Sequence, residues 1–191
     1  MAAGLAACSP GQVPQDAAEP VQPVDLSAAL ALREAGECRF DPLTEHAFEG
    51  LLLIGAEPDG VTSAPVIALG EARLTPRFDS GAMEGAPGGH EYRSHVALPR
   101  GSTWNGLPIE RLWVEFFAPP ETDSLYRRGL TFRASPQAVQ RTLASLGAEV
   151  PLSPDFRALD EYAPFSSVTC GGAIMIEPAE GGASLVCDRG C

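Results

Sequence analysis

Residues 109–117, Ile-Glu-Arg-Leu-Trp-Val-Glu-Phe-Phe, constrain the fold more than any other stretch of the chain. In an extended backbone Leu112, Val114 and Phe116 share one face, and Trp113 and Phe117 share the other. Apolar residues on both faces point to a strand in the middle of a sheet. Residues 135–146 supply a partner. Ser135 is an N-cap, Pro136 fits the first turn and Gly147 follows the end. Val139, Leu143 and Leu146 repeat at i, i+4, i+7, the stripe of a helix lying across a sheet.

Short strands surround these two elements at 51–54, 66–69, 72–78, 92–98 and 129–133, separated by Gly and Pro. A hairpin centred near Glu180-Gly181 joins 174–177 to 183–187. Residues 26–35 read as a short helix, capped by Asp25 or Ser27 and ended by Gly36. Asp41-Pro42 opens a second, over 42–49, with Leu43, Ala47 and Phe48 on one face and Gly50 to stop it. Residues 79–89, rich in Gly, read as a mobile loop. The order helix, strands, helix, strands predicts an α+β domain with a mostly antiparallel sheet.

Four cysteines fall inside that domain: Cys38, Cys170, Cys187 and Cys191. An even set suits structural disulfides in an oxidising compartment. Zinc would want two closely spaced pairs, and only Cys187 and Cys191 are close, so no metal site is expected. If the C-terminal hairpin forms as read, Cys170 lies opposite Cys191 and Cys38 is left for Cys187. The alternative is Cys38 with Cys170 and a small Cys187–Cys191 loop.

The fifth cysteine ends the run Leu5-Ala6-Ala7-Cys8. This resembles the lipobox of bacterial lipoproteins, in which Leu and two small residues precede the lipidated Cys. The resemblance implies that Cys8 receives a diacylglyceryl group, that residues 1–7 are the removed remnant of a signal peptide, and that the new amino terminus is acylated. It implies a lipid-anchored protein of the bacterial periplasm, on the inner or outer membrane. Residues 8–24, proline-rich and without periodicity, read as a tether. Residues 25–191 are then the domain.

The charge balance narrows the partners. Net charge is −12, with 13 basic against 25 acidic residues, so a phosphate backbone is repelled and nucleic acid is not expected as a partner. No polybasic patch is available for anionic lipids. Every basic residue is arginine. Without lysine there is no Walker A motif, no pyridoxal Schiff base and no Ser-x-x-Lys dyad. Gly-x-Ser-x-Gly and strand-borne Gly-x-Gly-x-x-Gly are also missing, and no cofactor is called for.

His90-Glu91-Tyr92-Arg93-Ser94-His95 is one residue too long for His-Glu-x-x-His, and on a strand its two histidines point to opposite faces. His46 and Glu49 lie one turn apart on the second helix, an arrangement more often found on a solvated face. Arg127, Arg128 and Arg133 suit carboxylates or phosphates, and in so acidic a chain they more often offset neighbouring acids. Trp104-Asn105, in a turn before the central strand, offers a possible ligand contact, although a turn Trp also folds back readily onto the core.

No catalytic constellation is visible. The sequence points to a non-enzymatic envelope module that binds a protein or small molecule, through an exposed patch near Trp104 and residues 79–89. An envelope hydrolase is the alternative; it requires a cleft that gathers His46, His90 or His95 with a carboxylate of perturbed pKa. A protease inhibitor presenting a rigid loop at Cys187–Cys191 is a third reading.

Overall fold

The structure, a computed structural model, describes residues 22–34, 38–56, 66–69, 72–82, 88–118, 125–165 and 168–190. Cys8, most of the tether, residues 83–87 of the expected loop and Cys191 lie outside the described residues. The architecture is α+β. One antiparallel sheet is ordered β10-β11-β12-β9-β8-β6-β5, and β7 pairs with β8 beside this path. Its strands are β5 (Arg77–Ala82), β6 (His90–Ala97), β7 (Thr103–Trp104), β8 (Leu107–Ala118), β9 (Leu125–Phe132), β10 (Arg157–Phe165), β11 (Val168–Ala179) and β12 (Gly182–Gly190). Strand β8 is interior, between β6 and β9, as its two apolar faces predict. Asp79–Ala82 belongs to edge strand β5, where a loop was expected.

Helix α2 (Pro136–Ser145) forms as its sequence predicts. The Ser135 hydroxyl accepts from the Ala138 amide, and Val139 and Leu143 are buried. Leu146 departs from the expected stripe and is exposed, because it is the C-cap. Gly147 then takes a left-handed conformation, with φ of 82°. The Ala148 amide bonds the Leu143 carbonyl at 2.9 Å and that of Gly147 bonds Ala144 at 3.0 Å, a Schellman closure. This turn sends Ala148 and Val150 into the core in place of Leu146.

Helix α1 (Pro42–Ala56) runs well past the expected stop. Thr44, Ala47, Phe48 and Leu51 are buried at i, i+3, i+4, i+7, so the apolar run 51–54 continues a helical period and is not a strand. Gly50 does not end the helix. It makes room: a Cβ there would sit 2.9 Å from Ile67 Cδ1 in β3 (Ile67–Leu69), which pairs with β4 (Ala72–Leu74).

The expected helix over 26–35 is reduced to one turn, closed by the Leu30 amide on the Leu26 carbonyl at 2.8 Å. The chain then enters β1 (Leu32–Glu34), paired with β2 (Arg39–Phe40). Three consecutive carbonyls explain the break. That of Ala29 accepts from the Thr44 hydroxyl, that of Leu30 from Trp104 Nε1 at 2.8 Å, and that of Ala31 from the Asp41 amide at 2.8 Å. These are the acceptors a continuing helix would need.

Cys38 is bonded to Cys187, with Cα atoms 6.1 Å apart. The hairpin turn at Glu180-Gly181 forms as expected, and its register supports this pairing over the Cys187–Cys191 loop. Cys170 lies in β11, opposite Tyr162 of β10. Cys187 is buried inside strand β12, so the described residues present no rigid inhibitor loop there.

Candidate functional site

The sheet has two unlike faces. Leu112, Val114, Leu130, Phe132, Ile174 and Leu185 are buried toward the helices. Among the described residues no helix packs on the other face. Strand registers organise the side chains there into three cross-strand rows. Arg111, Thr131, Ser184 and Glu177 form the first. His95, Trp113, Gly129 and Val186 form the second. Asp79, Arg93, Glu115, Arg127 and Asp188 form the third, crossing β5, β6, β8, β9 and β12 with charges that alternate in sign.

The charged row is bonded from Arg93 to Asp188. Arg93 Nε lies 3.4 Å from Glu115 Oε1. Arg127 Nη1 lies 3.5 Å from the other oxygen of Glu115, and its Nε donates to Asp188 Oδ1 at 2.6 Å. Arg127 Nη2 reaches back to Glu177 of the first row at 2.8 Å. Arg93 also pairs with Glu91. Such pairs at intermediate burial fix geometry more than they add stability. Burial works against the charge on Arg127. The Asp188 hydrogen bond and the fields of Asp188, Glu177 and Glu115 outweigh it and hold its pKa above the ordinary value.

Two other groups on this face have pKa values displaced by their surroundings. Burial pushes the Glu115 carboxyl up; Arg93 and Arg127 oppose this, and the charges of Glu91 and Glu177 add to it. Burial also pushes His95 down, helped by Arg111 and Arg77 and opposed by Asp79. Its imidazole is therefore neutral at neutral pH.

Trp113 occupies the middle of this surface. Its cross-strand partner is Gly129, and a Cβ on Gly129 would lie 2.5 Å from Trp113 Cζ2 and 2.7 Å from Cε2. The indole thus lies across the bare glycine backbone. It lines a cleft of about 420 Å³ with polar neighbours from both flanking rows, including Arg111, Glu115, Arg127 and Glu177, and with His95. The cleft can stack a flat or C–H-rich ligand surface and offer it hydrogen-bond donors and acceptors on both sides.

The residues singled out in the sequence fall elsewhere. Trp104 is fully buried, tilted against Phe132 with centroids 5.4 Å apart. It folds back onto the core and presents no surface to a ligand. Asn105, at φ of 47°, makes the turn into β8, and its amide bonds Ser27 Oγ at 2.8 Å. His46 is exposed, 3.6 Å from Glu49. His90 and His95 stand five residues apart on β6, and of the two only His95 lines the cleft. Among the described residues no group of three or more His, Cys, Asp or Glu side chains is placed to hold a metal ion. The arginines do offset acids: Arg127 as above, Arg128 with Glu45, and Arg133 with Glu110 at 3.2 Å.

Arg128 belongs to the opposite face and is structural. It is 7% exposed, donates to Glu45 and to the Cys38 carbonyl, and stacks over Phe48 at 5.1 Å. Glu45 in turn accepts from the Phe40 amide at 2.8 Å, so one ion pair ties the start of α1 to the sheet. Sequence reasoning missed Trp113 as a surface residue. The odd-numbered parity shared by Arg111, Trp113 and Glu115 is the signal that was available. No family model matches the chain, and no curated protein or solved structure is similar to it at a significant level.

Proposed function

We propose that this chain is a non-enzymatic binding module of the bacterial cell envelope that takes a polar ligand on its helix-free sheet face. The observation that carries this reading is the cleft around Trp113, an aromatic platform set between two polar rows. Paired charges and an aromatic centre are features of recognition surfaces. The envelope assignment rests on Leu5-Ala6-Ala7-Cys8 and the tether over 8–24, and the Cys38–Cys187 disulfide is in keeping with an oxidising compartment. No helix among the described residues is long and apolar enough to cross a membrane. Attachment through a lipid on Cys8 rests on the lipobox-like run alone.

Two measurements test this. Mass spectrometry of the mature protein from its native host is expected to find Cys8 N-terminal and acylated; an unmodified Cys8 overturns the anchoring. Trp113→Ala is expected to abolish ligand capture from envelope extract while circular dichroism stays unchanged. Capture that survives the substitution overturns the assignment of the site.

A hydrolase has one observation in its favour: His95 and Glu115, both with shifted pKa values, line the same cleft. Against it, the Glu115 carboxylate is already held by Arg93 and Arg127. Turnover of an envelope substrate that His95→Gln removes would establish the enzyme; binding without turnover supports the module.

A further inference from the structure

We infer that the ligand of this cleft is a glycan, bound through a neutral pyranose ring stacked on Trp113; the inference rests on the binding-face reading above. Arg111, Trp113 and Glu115 alternate along β8 and share one face, so a single strand presents a donor, an aromatic plate and an acceptor in succession. With a rise of about 3.4 Å per residue, the donor and acceptor stand roughly 7 Å to either side of the plate. A pyranose has matching chemistry: a C–H face for the indole, and hydroxyls that both donate and accept around its rim.

The mixed charge of the lining disfavours strongly charged and apolar ligands. Arg127 is bound by Glu115, Glu177 and Asp188, and Arg93 by Glu115 and Glu91, and the cleft lining as a whole sets Asp79, Glu115, Glu177 and Glu180 against Arg93, Arg111 and Arg127. An anionic or cationic ligand would meet its own sign as often as the opposite one. An apolar ligand would strip water from these groups without replacing their hydrogen bonds. A polyhydroxylated neutral ring replaces them. Arg111 makes no ion pair among the described residues; its one hydrogen bond is to Thr131 Oγ1 at 3.5 Å, which leaves its remaining N–H groups for hydroxyls.

The chain has two tryptophans, and Trp104 is fully buried, so acrylamide quenching of fluorescence reports chiefly on Trp113. The experiment titrates the full-length protein with tetrasaccharides of glucose and of N-acetylglucosamine, α- and β-linked, and with adenosine as a flat control. At least one tetrasaccharide is expected to protect Trp113 saturably. Arg111→Gln is expected to weaken binding roughly tenfold, the loss of one charge-assisted hydrogen bond. Trp113→Phe, which lacks the reporter indole and is followed by isothermal titration calorimetry, is expected to retain weaker binding, which controls for folding of Trp113→Ala. Protection by adenosine and no sugar overturns the inference. Envelope extract separates this inference from the reading beneath it. Protection destroyed by periodate, which cleaves vicinal diols, or by an N-acetylhexosaminidase, which covers 1,4-linked N-acetylglucosamine whose inner rings lack such a diol, supports the glycan. Protection that survives periodate and is lost to protease leaves the binding face and overturns the glycan. No protection by extract or by sugar overturns both.

Discussion

Arg128 and Cys187 face each other across β9 and β12, and both close on the same residue, Cys38. The guanidinium donates to its carbonyl at 2.8 Å, and Cys187 shares a disulfide with its sulfur. Cys38 sits at φ of 50°, a conformation an L residue seldom holds unaided. One covalent and one polar attachment from neighbouring strands therefore fix the entry to α1. Arg128→Met is expected to cost about 2–4 kcal/mol in urea unfolding, toward the lower part of the range for a broken buried pair because Glu45 keeps some contact with water. Arg128→Met combined with Glu45→Met is expected to be more stable than Arg128→Met alone. An additive double variant would show that the two side chains are not coupled.

Cys38 and Cys187 are 149 residues apart, so their bond restrains most of the domain in the unfolded state. Cys38→Ser with Cys187→Ser is expected to lower stability by roughly 2–5 kcal/mol. Dithiothreitol should bring the wild type down to the level of the double variant. Equal melting temperatures with and without reductant would show that the bond does not restrain the fold.

Gly129→Ala tests the seat of Trp113. The new methyl would meet the indole and the Leu185 carbonyl, each 2.5 Å from the position of its carbon. Overpacking of this kind is expected to cost about 1–3 kcal/mol. The same change should lift the indole and raise its quenching by acrylamide. Unaltered quenching would mean that Trp113 does not rest on Gly129.

The two shifted groups in the cleft give opposite pH slopes. His95 has its folded pKa below the ordinary 6.5, so its contribution is present above that pH and is lost as pH falls through the folded value. Glu115 has its folded pKa above the ordinary 4.5, so its contribution is present below that pH and is lost as pH rises through the folded value. The stability of His95→Gln relative to wild type is therefore expected to rise as pH falls below 6.5, and that of Glu115→Gln to rise as pH climbs above 4.5. Denaturant unfolding across this range checks both, and NMR titration of His95 with a midpoint at or above 6.5 would contradict the first.

The sequence announces some of these features and conceals others. Helix α2 was readable because cap, proline, stripe and terminal glycine agree locally. The C-terminal hairpin is readable for the same reason, and its register offers Cys38–Cys187 as one of two open pairings, between which the structure decides. The segment over 26–35 was misread because what breaks it comes from Thr44 and Trp104, residues far along the chain. The cleft was missed for a related reason. The parity of Arg111, Trp113 and Glu115 is written in β8, but Arg127 and Asp188 come within 2.6 Å from positions 61 residues apart. Nothing local marks them as neighbours, or marks which face of β8 the helices leave bare.

The alternating row from Asp79 to Asp188 has a consequence for how the sheet assembles. Sliding a strand by one residue turns its apolar side chains outward, and the core resists that error. Sliding it by two leaves the same side chains facing inward, so the core barely objects. The charges do. Moved two places against β8, Arg127 would leave Glu115 for Trp113 or Phe117, and the same shift would part it from Asp188 and Glu177 unless the neighbouring strands moved too. The row is thus a proof-reading device for alignment, sensitive to the one class of error that hydrophobic burial cannot detect.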